Sequence, residues 1–375
     1  MKVSYLTPFY SAQCDGRFGR FHDWVHALRD MHSPPFDFYV HTPLSAGSDS
    51  TLVSEPITYL GSGDDLWAAR RNSVERLFNL PRLRRDLRRV EPDVVHMVSV
   101  DPILQLAIRS TVDDVPLVVG PNIGGWFPNR RDNIWFSRAG DRAKLVAQFH
   151  FRKALVRAID PQQVLAFSNY HREMLRHIDI PLDLSTVLPP GVDERFSPAE
   201  STGTISGPPE LLYVGDLSEH KGYNLFLRAV SRLDSQIRVR IIGSGDPKLP
   251  LIRSLGLSES ISIEGFVDRA DLPPYYQQAD LVAVPSIDEM GPNTQVEALA
   301  TGTPLVTTDS SGLNEYPPPG TAELFWPPEV NALAKAIDRA LENLESLSSS
   351  ARAHAPEFTV SSTVSHLNEL YRSLL

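Results

Sequence analysis

Cysteine is nearly absent from this chain, and its absence excludes two ways of holding a fold together. The 375 residues include one cysteine, Cys14, so neither an internal disulfide nor a cysteine-built zinc site can form. Apolar runs of about 18 residues, the length that crosses a bilayer, are missing too. The segment Met1 to Pro8 lacks the apolar core of a signal peptide and is predicted to contain a strand, Val3–Thr7. Together these features predict a cytoplasmic protein.

Several compact signatures of catalysis are also missing from the sequence. There is no Gly-x-Ser-x-Gly elbow and no Walker phosphate loop. The histidines, among them His22, His26 and His96, show no ligand spacing with carboxylates, so we expect structural histidines and no metal site. The net charge of −10 argues against general binding to nucleic acid.

Charge is unevenly distributed along the chain. Residues 1–190 carry a net charge of +2 and the remainder carries −12. Eight arginines lie between Arg70 and Arg89, beside an apolar stripe that includes Leu83 and Leu87, and residues 126–157 mix aromatic side chains with further cations. The ordinary interpretation is the solvated face of a packed helix. The alternative is attraction to anionic lipid head groups at a membrane surface.

Apolar strand-like runs alternate with amphipathic helix-like runs, which is typical of parallel βαβ units. The pattern predicts two Rossmann-like α/β domains, residues 1–195 and 196–357, followed by a helix over 358–375 with an apolar stripe from Val360 to Leu374. Ligands of such sheets bind at the carboxyl ends of the strands. We therefore expect a site in a cleft between the two domains. The strands expected in the second domain are Leu211–Val214, Val239–Ile242, Ile261–Glu264, Leu281–Val284 and Leu305–Thr308.

The segment Val214-Gly-Asp-Leu-Ser-Glu-His-Lys-Gly222 has a strand end, a short loop and a helix start. Lys221 lies directly before that helix, where an ammonium group is well placed to neutralise a diphosphate. A surface lysine in a strand-to-helix loop is the simpler interpretation of this segment taken alone.

A second strand–loop–helix segment runs from Leu281 to Ala300 and carries two acids, Glu289 and Glu297, around a Gly291-Pro292 break. The free N–H groups at the helix start attract phosphate. A carboxylate one turn into the helix can accept two hydrogen bonds from a ribose diol. Two solvated acids beside a turn are the alternative. The adjoining turn and strand, Thr301 to Val306, favour a functional element.

Two glycine-containing loops follow strands of the first domain. Gly16-Arg-Phe-Gly19 has small residues that let a backbone approach phosphate closely, and a flexible loop is the alternative. Gly120-Pro-Asn-Ile-Gly-Gly-Trp126 indicates either close approach to a ligand or a plain turn.

Taken together, these segments resemble the retaining glycosyltransferases of family 4, which have the two-domain GT-B fold. The resemblance implies that the C-terminal helix returns to the first domain. The resemblance is dense from about residue 186 to 316 and thinner before it. It rests on the order and spacing of several short motifs: Pro92-Asp-Val-Val-His96, Pro190-Gly-Val-Asp-Glu-Arg-Phe-Ser-Pro198, the Lys221 segment, Ile241-Ile-Gly-Ser-Gly245, Glu264-Gly-Phe-Val267, Leu272-Pro-Pro-Tyr-Tyr276, Ala279-Asp280, and the Glu289/Glu297 pair with Ala298-Leu-Ala-Thr-Gly-Thr-Pro304.

The resemblance implies a transfer of sugar from a UDP- or GDP-linked donor to a glycan or lipid-linked acceptor, without a metal or other cofactor. It implies that Glu297 holds the ribose, that Glu289 touches the sugar and that Lys221 pairs with the diphosphate. The same resemblance also implies the following donor contacts: Gly19 of the first loop, the backbone near Val267 at the base, and the helix-start residues Gly291, Pro292, Asn293 and Thr294.

Two positions depart from the family pattern. Asp216 stands where relatives usually have an arginine beside the diphosphate, and Asn122 stands where many have a histidine near the sugar. These departures motivate one alternative, a nucleotide-sugar-binding partner subunit without activity. A second alternative is a GT-B-fold epimerase of sugar nucleotides. A peripheral position at the inner face of the cell membrane would suit a lipid-linked acceptor.

Overall fold

The chain divides into two compact units in the described part of the molecule. One unit is Met1–Leu188 with Val364–Leu375, and the other is Pro189–Thr363. The predicted boundaries, 195/196 and 357/358, lie within a few residues of these divisions. The computed structural model describes residues 1–7, 19–31, 33–42, 58–59, 80–99, 104–105, 108, 111–112, 114–122, 150, 153–154, 158, 160–188, 190–200, 207–287, 289, 291 and 293–375.

The first unit contains a parallel sheet of seven strands. In chain order these are β1 Lys2–Leu6, β2 Asp37–Thr42, β3 Thr58–Tyr59, β4 Val94–Ser99, β5 Leu117–Asn122, β6 Gln163–Ala166 and β7 Ser185–Val187. Their order across the sheet is β3-β2-β1-β4-β5-β6-β7, and every neighbouring pair is parallel. This is the doubly wound order of a Rossmann sheet with one added edge strand, as the sequence predicted.

Three helices described in the first unit are α1 Gly19–Asp30, α2 Leu80–Val90 and α3 Asn169–Leu175. Leu83 and Leu87 of α2 are fully buried against the sheet, while Arg85, Arg88 and Arg89 are exposed. For this stretch the arginine cluster is therefore the solvated face of a packed helix. The rest of that cluster, residues 70–79, and most of the aromatic segment 126–157 lie outside the described residues.

The second unit contains a parallel sheet of six strands. They are β8 Glu210–Val214, β9 Arg238–Ile242, β10 Ile261–Gly265, β11 Leu281–Val284, β12 Leu305–Thr308 and β13 Ala322–Phe325. The order across the sheet is β10-β9-β8-β11-β12-β13, with all pairs parallel. The same Rossmann order therefore occurs twice in the chain.

Two apolar layers cover the faces of this second sheet. Alternate residues of β8 point to opposite layers: Leu211 and Tyr213 pack in one core, and Leu212 packs in the other. Burial on both faces explains why the central strands β8, β11 and β12 are mainly apolar runs. The helices of this unit are α4 Tyr223–Val230, α5 Leu249–Ser254, α6 Pro273–Gln278, α7 Asn293–Ala300, α8 Val330–Glu342 and α9 Leu344–His354.

The last helix, α10 Val360–Ser373, begins in the second unit and joins the first from Val364 onward. Its buried stripe is Val360, Val364, Leu367 and Tyr371, so the predicted helix that returns to the first domain is confirmed. Leu370 and Leu374, expected in the stripe, are half-buried. Tyr371, which was not expected in the stripe, is fully buried instead.

A buried histidine connects α10 to the first sheet. Nε2 of His96 donates to the carbonyl oxygen of Gly120 at 2.7 Å, which leaves Nδ1 to accept from the hydroxyl of Tyr371 at 2.6 Å. Burial lowers the pKa of His96 to about 4, although the bond to Gly120 opposes the shift. His96 is therefore a neutral, structural histidine, as the sequence indicated.

Candidate functional site

The second sheet reverses its winding between β8 and β11, which are hydrogen-bonded neighbours. In doubly wound sheets, ligands bind outside the carboxyl ends of the strands at this switch point. The loop after β8 carries Lys221, and the loop after β11 carries Glu289. The two residues singled out from separate sequence segments therefore flank the switch point.

Lys221 and Glu289 form an ion pair, with 2.7 Å between Nζ and Oε1. The side chain of Glu289 is 11% exposed and that of Lys221 is 27% exposed. Burial alone would raise the pKa of the Glu289 carboxyl, but Lys221 and a hydrogen bond from Ser286 outweigh it and hold the pKa below 4.5. Lys221 and Glu289 therefore form an ion pair that is partly accessible to solvent.

The ring of His220 is a further polar group beside this pair. No sequence pattern predicted a role for this histidine. Burial lowers its pKa, and Lys221 adds to the lowering while Glu289 and Asp216 oppose it. The carbonyl of His220 also accepts from the backbone N–H of Ile287 at 3.2 Å. The loops after β8 and β11 are therefore hydrogen-bonded to each other.

The loop that carries Lys221 is held by the hydroxyl of Tyr213, which lies 2.9 Å from the carbonyl oxygen of Asp216 and 3.4 Å from that of Lys221. Gly222 follows with φ of +72°, and a Cβ at this position would overlap the carbonyl of Pro285. Glycine is therefore required where the two loops of the switch point touch. The side chain of Asp216 is exposed.

Helix α7 begins at the end of the β11 loop. Its first residues are Asn293 and Thr294, Gly291 precedes them, and Pro292 lies outside the described residues. The hydroxyl of Thr294 donates to the carbonyl oxygen of Val214 at 3.2 Å. This bond ties the start of α7 to the carboxyl end of β8, the strand that leads to Lys221.

Glu297 lies one turn into α7 and is buried, with only 4% of its side chain exposed. Its Oε1 accepts from Nε of Arg269 at 2.9 Å, and its Oε2 accepts from the hydroxyl of Tyr276 at 2.8 Å. The sequence singled out Glu297 but missed both partners, which are 28 and 21 residues away along the chain. Tyr276 ends one of the family motifs but had no predicted role, and no local pattern marked Arg269.

Three further residues were predicted to belong to the site: Val267, Gly19 and Asn122. Val267 is half-buried in the loop after β10, at the same edge of the second sheet, and packs against the core. Gly19 and Asn122 belong to the first unit: Gly19 is the first residue of α1, and Asn122 ends β5 opposite Ser99 of β4. Residues 16–18 and 123–126 of the two glycine loops lie outside the described residues.

Position 120 must be a glycine because a side chain there would not fit within the first sheet. It has φ of +115°, and a Cβ there would clash with the backbone of Leu165. The close approach at Gly120 is therefore to a neighbouring strand, and the paired glycines Gly124 and Gly125 lie outside the described residues.

Two negative findings concern the described residues only. No group of three or more His, Cys, Asp or Glu side chains among them could hold a metal ion. None of the helices described is long and apolar enough to span a bilayer.

Comparisons with known proteins agree with this architecture. A family model described as glycosyl transferases group 1 matches residues 208–343, and one described as glycosyltransferase family 4 matches residues 21–196. D-inositol 3-phosphate glycosyltransferase of Corynebacterium glutamicum is 28% identical over 245 residues, which are 58% of this chain and 59% of the relative. The chain spans only about half the length of the curated relatives it matches, from 49 to 59% for the first three.

Solved structures resemble the whole chain in fold. A glycosyltransferase from Rickettsia africae has a TM-score of 0.74 at 18% identity, covering 100% of this chain and 98% of that one. HepE of Anabaena, solved with UDP and glucose, has a TM-score of 0.72 at 19% identity and covers 100% of both chains. The fold is therefore the GT-B architecture of these solved structures. The two family models, one on each unit, make the chain similar to glycosyltransferase family 4, as the sequence motifs predicted.

Proposed function

We propose that this protein transfers a sugar from a nucleoside diphosphate sugar to a glycan or lipid-linked acceptor, with retention at the anomeric carbon. The observation that carries the proposal is the Lys221–Glu289 pair at the switch point of the second sheet. HepE, a structural neighbour, was solved with UDP-glucose. The matched relative is an inositol phosphate glycosyltransferase by name. The HepE complex supports a nucleotide-linked donor, and the name of the relative supports the transfer of a sugar.

In this proposal, Lys221 binds the diphosphate, Glu289 binds the sugar and Glu297 binds the ribose hydroxyls. An ammonium group has three donors, so Lys221 can reach a phosphate oxygen while it still contacts Glu289. The backbone N–H groups of Gly291, Asn293 and Thr294 meet the diphosphate or sugar at the positive end of α7. The backbone near Val267 contacts the base, and Gly19 and Asn122 contribute from the first unit.

Chemistry proceeds through an oxocarbenium-like transition state. The bond between the anomeric carbon and the diphosphate oxygen breaks, and negative charge builds on the leaving group. Lys221 and the helix-start N–H groups stabilise that charge because they are fixed before the reaction begins. The mechanism needs no enzyme nucleophile, and it needs no metal because Lys221 supplies the positive charge. Closure of the two domains over the donor would exclude water.

The test is a transfer assay with UDP- and GDP-linked sugars and a panel of saccharide and lipid-linked acceptors. A screen by thermal shift first identifies the donor, because a bound ligand stabilises the folded state by mass action. Glu297→Ala and Lys221→Ala are expected to abolish transfer while each variant stays folded. Unchanged turnover in both variants would refute the proposal.

The alternatives give different results in the same assay. An epimerase consumes the donor with no acceptor present. An inactive partner subunit binds the nucleotide by calorimetry but releases none with any acceptor. The second alternative is motivated by Asp216, an acid in the loop that carries the diphosphate-binding lysine. Its exposed side chain leaves Lys221 paired with Glu289 instead.

We further propose that the protein works in the cytoplasm, in peripheral contact with an anionic membrane through the first unit. The supporting observation is the exposed row Arg85, Arg88 and Arg89 on α2. The protein is expected to sediment with vesicles containing phosphatidylserine at low salt, and the triple Gln variant is expected to stay in solution. A wild-type protein that stays in solution would refute the membrane proposal alone.

A further inference from the structure

Arg269 is the cation paired with Glu297, the acid that is proposed to bind the ribose. Glu297 is almost fully buried, and a carboxylate in that position is costly unless it is paired and hydrogen-bonded. Arg269 supplies the charge through a 2.9 Å contact between its Nε and Oε1 of Glu297, and its own side chain is only 13% exposed. Tyr276, which is fully buried, supplies the second hydrogen bond at 2.8 Å.

The guanidinium group is held by its surroundings before any ligand arrives. It lies over the ring of Phe196, with 5.2 Å from Cζ to the ring centroid. That ring is buried and packs edge-on against Tyr276 at 5.9 Å between centroids. The same aromatic pair therefore supports both donors to Glu297, and a planar cation stacked on a ring keeps its orientation.

Arg269 also links two parts of the site that are separate in the sequence. It begins a short 3-10 helix, Arg269–Asp271, two residues after Val267 in the loop that follows β10. Glu297 belongs to α7, at the other side of the switch point. The ion pair thus ties the loop proposed to contact the base to the carboxylate proposed to contact the ribose.

We propose that Arg269 is a positioning residue that orients the Glu297 carboxylate for two adjacent hydroxyls. A carboxylate has about four acceptor directions. Arg269 and Tyr276 take one on each oxygen, which leaves one on each oxygen for a vicinal diol. The inference rests on the proposed function, because it takes the diol to be the ribose of the donor nucleotide. Its consequence is selectivity for ribonucleotides over 2′-deoxyribonucleotides.

The experiment compares UDP with 2′-deoxy-UDP and GDP with 2′-deoxy-GDP by calorimetry. The proteins are the wild type, Arg269→Gln, Arg269→Lys and a control, Arg253→Gln, which removes an exposed arginine from α5 in the same unit. Hydrogen bonds to a charged group are strong enough for the wild type to prefer the ribose form about tenfold or more. In Arg269→Gln the preference is expected to fall close to one, while the affinity for inorganic diphosphate is unchanged.

Arg269→Lys is expected to keep part of the preference, because lysine retains the charge but lacks the fork that fixes direction. It also carries the test if Arg269→Gln does not fold. The control Arg253→Gln should bind as the wild type does. A wild-type ratio of ribose to deoxyribose binding in both Arg269 variants would overturn the inference and leave the proposed function intact. A wild type that binds neither UDP nor GDP would overturn the proposed function, and this inference with it.

Discussion

The two acids of the site differ in the cations beside them and in their access to solvent. Glu289 pairs with a lysine whose side chain is 27% exposed, whereas Glu297 pairs with an arginine that is 13% exposed and stacked on an aromatic ring. A lysine on a loop can turn toward a new anion at small cost, but a stacked arginine cannot. The first pair is suited to exchange partners during a reaction. The second is suited to hold one geometry.

The largest effect is expected from removing the cation of the fixed pair. Arg269→Met leaves the buried Glu297 carboxylate without a counter-charge, which should lower the free energy of unfolding by about 3 kcal/mol. Urea unfolding of the variant measures this loss. Arg253→Met, an exposed arginine of the same unit, should change stability by less than about 0.5 kcal/mol. A loss of similar size in Lys221→Met would remove the distinction between the two pairs.

The opposite pattern is expected for turnover. Lys221→Ala should raise the barrier by about 3 kcal/mol, with a smaller loss of stability than Arg269→Met. Lys248→Ala is the matched control, because Lys248 also pairs with a carboxylate, Asp246 at 2.9 Å, in the same unit. Turnover that falls equally in both variants would show that Lys221 has no special role.

The exchangeable pair should also leave a signature in the pH dependence of stability. Because Lys221 lowers the pKa of Glu289 despite its burial, the pairing stabilises the folded state at neutral pH, and this contribution is lost as the pH falls through the lowered pKa. In Lys221→Gln the acid stays buried without its cation. The melting-temperature deficit of the variant should therefore be largest near neutral pH and shrink below about pH 4.5. A deficit that is constant from pH 7 to pH 3.5 would contradict this view of the pair.

The smallest expected effect concerns the loop that carries Lys221. Tyr213→Phe removes the hydroxyl next to the carbonyls of Asp216 and Lys221, which should cost about 1 kcal/mol of stability and reduce turnover. Tyr223→Phe removes a comparable bond, 2.9 Å in length, to the carbonyl of Pro247 in the loop after β9. Stability should fall in both variants, and turnover only in Tyr213→Phe. Equal turnover in the two would mean that the hydroxyl of Tyr213 does not position Lys221.

The sequence predicted the central strands of the second unit to within a residue or two. Leu281–Val284 and Leu305–Thr308 match the structure, because strands buried on both faces are continuous apolar runs. The edge strand β13 was missed, since Ala322 to Phe325 includes an acid and faces solvent on one side. Short strands at an edge leave too little pattern to detect.

The site could be predicted only where its residues belong to a strand–loop–helix segment. Lys221, Glu289 and Glu297 each lie at a fixed offset from a strand or helix end, so their spacing carried information. Arg269 lies in a loop with no such offset, and its pairing with Glu297 depends on how the sheet brings two loops together. A side chain that acts through a distant neighbour leaves no local trace in the sequence.

Helix α10 has a consequence for how the protein is made. Its residues from Val364 onward complete the core of the first unit, yet they follow all of Pro189–Thr363 in the chain. During synthesis the core of the first unit therefore stays incomplete until Tyr371 has been made, while the second unit emerges and folds. Of the two hydrogen bonds described for the ring of His96, only the one to the carbonyl of Gly120 can form before Tyr371 is present. The unit that begins first on the ribosome is the one that finishes last.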